Sequence, residues 1–146
     1  MDEIHREHKL EGRLYVSFTF TGKDLIPDDI TDRLNIRPNY SFKRGDIKVN
    51  SEGEERIRRH GCWSIDSDNY ELPSDNLMPH VEWLLGLLEP VNKELQEILE
   101  DGNIEGLISC FWIMPGGRIN SEVMPNLLAR LARLNVKIWF DIYCNH

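Results

Sequence analysis

No run of apolar residues in this chain approaches the roughly 20 needed to cross a bilayer, and Met1-Asp-Glu-Ile-His-Arg-Glu-His8 is charged where a signal peptide needs an apolar stretch. The expected address is the cytoplasm, with no membrane partner. Cysteine is scarce: Cys62, Cys110 and Cys144 are odd in number and have no CxxC spacing. They read as reduced thiols, and the first two fall inside apolar segments where a thiol behaves as a small hydrophobe. Positive charge is also short. Against 25 Asp and Glu stand 17 Lys and Arg, a formal charge of -8, so the surface repels a nucleic-acid backbone and no nucleic-acid partner is expected.

Motifs that carry chemistry are missing as well. Pro115-Gly116-Gly117 lies between a strand and a helix, where phosphate loops lie, but it has neither a Walker lysine nor GxGxxG spacing and reads as a tight turn. His5 and His8 are spaced for one helical turn, yet no third ligand is near in sequence, and no metal is expected. His60-Gly-Cys62 with His80 has the residue types of a Cys-His couple but no marked donor pair for an oxyanion. The plainer reading is a buried thiol beside an unrelated histidine. The RNP signature of RNA-stacking sheets is absent, although Tyr15, Ser17, Thr19, Trp112, Trp139 and Tyr143 are candidates to share a second sheet face. The long loop, the helical insert or a second subunit is expected to cover that face. No catalytic residue and no cofactor is assigned, and the reading leans away from an enzyme.

What is present suffices for one packed domain spanning residues 1–146, since 146 residues with 40% hydrophobic content and four tryptophans can bury a core without disulfides or metal. Residues 1–12 are polar and unpatterned and read as a loose arm. From Arg13 to Thr21, Leu14, Val16, Phe18 and Phe20 alternate with polar residues, which is a strand with one core face. A helix follows, with Pro27, Asp28 and Asp29 in its first turn and Ile30 and Leu34 on one face; Arg37-Pro38 should stop it. Asn39 to His60 reads as a long loop or irregular hairpin, and Gly61 to Ser67 as the strand that closes a first βαβ unit.

Two helical patterns fill residues 75–100, and Pro90 should break or kink the run between them. The clearest stretch is the last. Leu107 to Met114 is an apolar strand, and Ser121 caps a helix carrying Val123, Leu127, Leu128, Leu131 and Leu134 up to Asn135. Val136 to Tyr143 then alternates Val136, Ile138, Phe140 and Ile142 with Lys137, Trp139, Asp141 and Tyr143, the pattern of a half-buried strand. A constant offset of 107 − 14 = 93 pairs Leu14 with Leu107, Phe18 with Phe111, Phe20 with Ile113, Ile26 with Ile119, Ile30 with Val123 and Leu34 with Leu127, which predicts an internal repeat. The expected fold is α+β: two ferredoxin-like βαβ repeats forming a mainly antiparallel sheet, with a helical insert between them.

Ile30-Thr31, Leu34-Asn35-Ile36-Arg37-Pro38, Gly45-Asp46, Gly61-Cys62-Trp63-Ser64 and His80 with Leu84, Leu85, Leu88 and Pro90 resemble the pattern of domain-of-unknown-function family 4279, from Leu14 to Tyr143. The resemblance implies a small bacterial protein with no assigned reaction. Such orphan families are associated with the neighbourhoods of polymorphic toxins, where many members act as immunity proteins. Ile26 departs from the small polar cap expected before Pro27.

Charge is distributed unevenly. Residues 37–60 hold seven Lys or Arg against four acids, and residues 61–105 hold eleven acids and the single Lys93. An acidic run on helices can be a solvated face, or a docking surface for a basic protein through Glu82, Glu89, Glu94 and Glu97. Two function classes follow. One is a non-catalytic protein-interaction module, with the immunity type as one form of it, binding a basic partner through the acidic helical face; a homodimer is also compatible. The other is a small-ligand or anion sensor whose groove between the repeats is lined by Arg37, Tyr40, Arg44 and Trp63. Trp63 has a competing assignment as a core anchor.

Overall fold

The computed structural model describes residues 12–114, 116 and 120–144. Its elements in chain order are β1 (Arg13–Gly22), α1 (Pro27–Leu34), β2 (Tyr40–Phe42), β3 (Ile47–Val49), β4 (Glu55–Ile57), β5 (Gly61–Asp66), α2 (Leu77–Leu88), a 3-10 turn (Glu89–Val91), α3 (Asn92–Glu100), β6 (Ile104–Met114), α4 (Pro125–Ala132) and β7 (Lys137–Cys144). Five strands form one sheet in the order β2-β5-β1-β6-β7, and β3 pairs with β4 in a separate hairpin. Every pairing in the main sheet is antiparallel except β6 with β7. The architecture is therefore α+β with a mainly antiparallel sheet.

The alternation in β1 dictates the layers. Leu14, Val16, Phe18 and Phe20 are buried, and register carries that face across to Trp63 and Ile65 of β5 and to Ile108, Cys110 and Trp112 of β6. Ile30 and Leu34 of α1, Leu84, Leu85 and Leu88 of α2, Leu95 and Ile98 of α3, and Leu127 and Leu131 of α4 close over the same face in one cluster. Burying each of these large side chains contributes roughly 1.5–3 kcal/mol relative to leaving it in water. The described helices leave the other sheet face, with Tyr15, Ser17, Thr19, Ser109 and Phe111, partly exposed.

Several local expectations hold. Proline opens α1 with Asp28 and Asp29 in its first turn, and Ile26 at the cap makes no side-chain bond. Pro90 interrupts the helical insert as a 3-10 turn. Asn135 is left-handed at φ 56, closing the turn after α4. Asn39 to His60 is an irregular hairpin excursion.

Others are corrected. Asn35, left-handed at φ 54, ends α1 before Arg37-Pro38 is reached. Ser121 does not cap its own helix: α4 begins at Pro125, and the Ser121 hydroxyl instead accepts the N–H of Leu77 at 3.0 Å, at the start of α2. The first unit is not a parallel crossover, because β1 and β5 are adjacent and antiparallel, from Gly22 opposite Gly61 to Ser17 opposite Asp66. Among the described residues only β6, α4 and β7 make a parallel βαβ unit. The 93-residue offset also lands one residue out of phase. It sets Leu14 and Phe18 of the core face on Leu107 and Phe111 of the open face, whereas the register seats Leu14 against Trp112 and Phe18 against Ile108, and a one-residue slip in a strand reverses its faces. Its Ile26–Ile119 match lies outside the described residues, as do His5 and His8.

β7 is not half-buried. Trp139 is 56%, Phe140 65%, Ile142 50% and Tyr143 52% exposed. It is the sheet's edge, and the helical layer does not extend over its outer end.

Where β1 ends, the chain turns tightly against the start of β5. A Cβ on Gly61 would lie 2.1 Å from the Leu25 carbonyl oxygen, so only glycine lets the two backbones meet. Gly86, by contrast, has open space in the last turn of α2. Gly61→Ala is expected to cost about 3 kcal/mol, and Gly86→Ala to add about 0.5–1 kcal/mol by restricting the unfolded chain. Urea midpoints of the two variants check this pair; equal shifts would refute the close approach.

Candidate functional site

Three groups of polar or aromatic side chains are candidates for function, and the fold assigns each a different role. The first is buried. Ser67 continues the inward parity of Trp63 and Ile65 at the end of β5, and it is 0% exposed; His80 on α2 is 1% exposed. The Val16 N–H donates to Ser67 Oγ at 3.0 Å, Ser67 Oγ lies 2.7 Å from His80 Nδ1, and His80 Nε2 lies 2.6 Å from the Pro73 carbonyl oxygen. A carbonyl can only accept, so Nε2 carries the proton and Nδ1 takes the serine hydroxyl's hydrogen. The chain of bonds ties β1, β5, the 68–76 loop and α2 together. It resembles a serine-histidine pair in composition, but neither side chain can meet a substrate, and its work is to satisfy buried groups.

The buried Cys62 and Cys110 are similarly unsuited to nucleophilic attack. Burial pushes the Cys62 thiol up, against a weaker opposing pull from Arg58, and pushes Cys110 up to about 11. Reactive thiols need the opposite shift. Cys62 lies opposite Phe42 and Thr21 on the sheet, and both His80 ring nitrogens are engaged elsewhere, so the Cys-His couple is not assembled. Among the described residues no group of three or more His, Cys, Asp or Glu is placed to hold a metal ion. None of their helices is long and apolar enough to cross a membrane.

The second group is the proposed groove, whose four residues are not brought together. Trp63 is a core residue, 0% exposed, with its indole N–H donating to Thr31 Oγ1 at 3.1 Å and its ring 5.8 Å from Phe20. Tyr40 sits opposite Ser64 on β2, one residue out of phase with Trp63, and its hydroxyl takes a hydrogen bond from Arg58. Arg44 pairs with Asp24 at 2.8 Å, and Arg37 is exposed. Pairing alternation places Tyr40 and Trp63 on opposite faces, and Trp63, buried and bonded to Thr31, offers the exposed Arg37 no ring surface for a recognition corner. A neighbouring cluster was not anticipated: Arg58 lies over the Phe42 ring at 3.8 Å, and Phe42 meets His60 at 5.5 Å. No sequence spacing marks it, because the hairpin between them sets its geometry.

The third group is acidic. Glu82 and Glu97 are exposed, and Glu94 is half-exposed. Glu89 is committed inside the fold: the Arg130 Nε donates to its two carboxylate oxygens at 3.1 and 3.0 Å, and a second guanidinium nitrogen joins them. That hydrogen bonding holds the Glu89 carboxyl below the usual range and the Arg130 guanidinium above its own. The pair clamps the 3-10 turn to α4. Glu97 lies 3.6 Å from Arg33, both exposed, a contact worth little.

On the open sheet face Tyr15 stacks on Phe111 at 4.8 Å, and Phe111 meets Tyr143 at 5.5 Å. Lys137 lies over Trp139 at 5.2 Å. Trp112 does not join them; it faces the core opposite Leu14.

The family described as Domain of unknown function (DUF4279) matches residues 12–145. In the comparisons with curated proteins and with solved structures, nothing matches.

His80 gives a pH test. Burial depresses its pKa, outweighing the upward pull of its bond to Pro73. The unfolded chain then binds a proton that the folded chain refuses, so stability is complete above the unfolded value and falls as pH drops below about 6.5. The slope approaches about 1.4 kcal/mol per pH unit for one proton. Urea unfolding at pH 7.5 and 5.5 should show this loss in the wild type and a flatter dependence in His80→Gln; identical slopes would exclude His80 as its source.

Proposed function

The chain belongs to the DUF4279 family, and we propose that it is a non-catalytic protein-interaction module of the immunity type that takes a basic protein partner on its acidic helical face. The observation that carries the reading is unneutralised acid. Asp75, Glu82, Glu89, Glu94, Glu97, Glu100 and Asp101 stand against Lys93 alone in this stretch of sequence. Among the described residues only Glu89 and Glu97 of these acids meet a cation within 4.0 Å. Packing does not require the others, since the buried positions of α2 and α3 are Leu77, His80, Val81, Leu84, Leu85, Leu88, Leu95 and Ile98.

An exposed field of one sign steers encounter with the opposite sign and repels its own kind, and it acts mostly on the association rate. Glu89 is removed from the docking set, because its charge is spent on Arg130. The set that remains is Glu82, Glu94 and Glu97.

The test is the triple reversal Glu82→Lys, Glu94→Lys and Glu97→Lys. With a partner first isolated on the wild-type chain and then purified, surface plasmon resonance should show association slowed roughly tenfold or more, with its salt dependence flattened. Thermal unfolding should barely move, because exposed charges contribute little. A partner whose association rate ignores both the reversals and added salt would reduce this face to a solvated surface.

A further inference from the structure

We propose that β7 is a self-pairing edge, and that two copies of the chain join antiparallel through it about a two-fold axis at Trp139. β7 is the last strand of its sheet, with one side paired to β6 and the other unpaired among the described residues. Natural sheets protect such edges with charge, proline, bulges or a covering element, because a row of free N–H and C=O groups templates another strand. β7 instead exposes Trp139, Phe140, Ile142 and Tyr143 in a strand of eight residues whose only charges are Lys137 and Asp141.

Those two charges select the occupant. Register with β6 places Lys137, Trp139 and Asp141 on the open face, opposite Leu107, Ser109 and Phe111. In an antiparallel pairing of β7 with itself, centring on Trp139 sets Lys137 of each copy across from Asp141 of the other, with the two indoles between. Ile138 and Phe140 then meet on the reverse face. Moving the centre to Phe140 sets Lys137 against Tyr143 and leaves both charges unmatched. Centring on Asp141 opposes like charges, which is destabilising. One register therefore pairs both charges, sets indole against indole between them on the open face, and brings Ile138 against Phe140 on the other. An isologous contact of this kind closes on itself and cannot grow into a fibre. The axis is perpendicular to the sheet, so both helical layers lie on one side of a continuous sheet.

The experiment is sedimentation of the full chain, wild type and three variants: Lys137→Asp, Asp141→Lys, and the two together. Wild type should be a dimer. Each single reversal turns both symmetry-related pairs from attractive to repulsive and should weaken the dimer roughly 10- to 100-fold. The double variant restores opposite charges across the axis and should regain the dimer. Thermal melts and circular dichroism confirm that all four chains fold. A wild type that stays monomeric at roughly 100 µM overturns the proposal, whether its edge is then free, covered by its own amino-terminal residues or occupied by another protein. A dimer indifferent to both single reversals, or a double variant as dissociated as the singles, overturns it equally.

Discussion

β1 hydrogen-bonds to β5 on one side and to β6 on the other, and Leu14, Val16, Phe18 and Phe20 are cut off from solvent while Tyr15, Ser17 and Thr19 are not. A strand paired on both edges cannot rotate, so its two faces become the two faces of the whole sheet. Each neighbour must place its apolar parity on the same side, and each helix must find that side. The described architecture, with helices on one face and a partly exposed surface on the other, follows from this single strand's alternation and its central place.

The polar residues that reach the interior hold this arrangement. Ser67 sits where β5 runs out, and it accepts the Val16 N–H that β5 no longer serves in the regular ladder. His80 completes the serine's bonding and donates its own Nε2–H to the Pro73 carbonyl oxygen. A histidine, a serine and free thiols would suggest catalysis from composition alone. Here burial has taken the first two out of reach and made Cys62 and Cys110 harder to ionise. The helical acids and the edge of the sheet, by contrast, are open to a partner.

How far the sequence could be read depended on whether a segment kept one period. β1 alternates cleanly and α1 carries its proline and acids in place, so both were legible. β6 is apolar on both faces through Leu107, Ile108, Cys110, Phe111, Trp112 and Ile113, and such a run conceals which parity faces inward; the apparent repeat slipped by one residue there. Trp63 next to a basic loop suggested a recognition site, but its parity with Ile65 turns it into the core. The same parity, carried two residues past Ile65, marks Ser67 as buried. The Glu89–Arg130 clamp had no local signature, since it joins the 3-10 turn to a helix 41 residues along the chain. β7 kept the alternation of a half-buried strand, and only the lateral extent of the helical layer, a property of the assembled fold, decided that it would be exposed.

The central place of β1 also fixes an order of events. Its two partners are made late, β5 after the hairpin and β6 after the whole helical insert. While the chain is being synthesised, β1 can first join only β5, which carries β2 on its far edge, with α1 as a cover. Its second edge and part of its apolar row stay unpaired until residues 104–114 emerge. Closing contacts over such separations is slow, and exposed edges invite wrong partners in the interval. A nascent chain paused after α3 thus presents a bare strand edge beside an apolar row, the combination that most invites mispairing before β6 arrives.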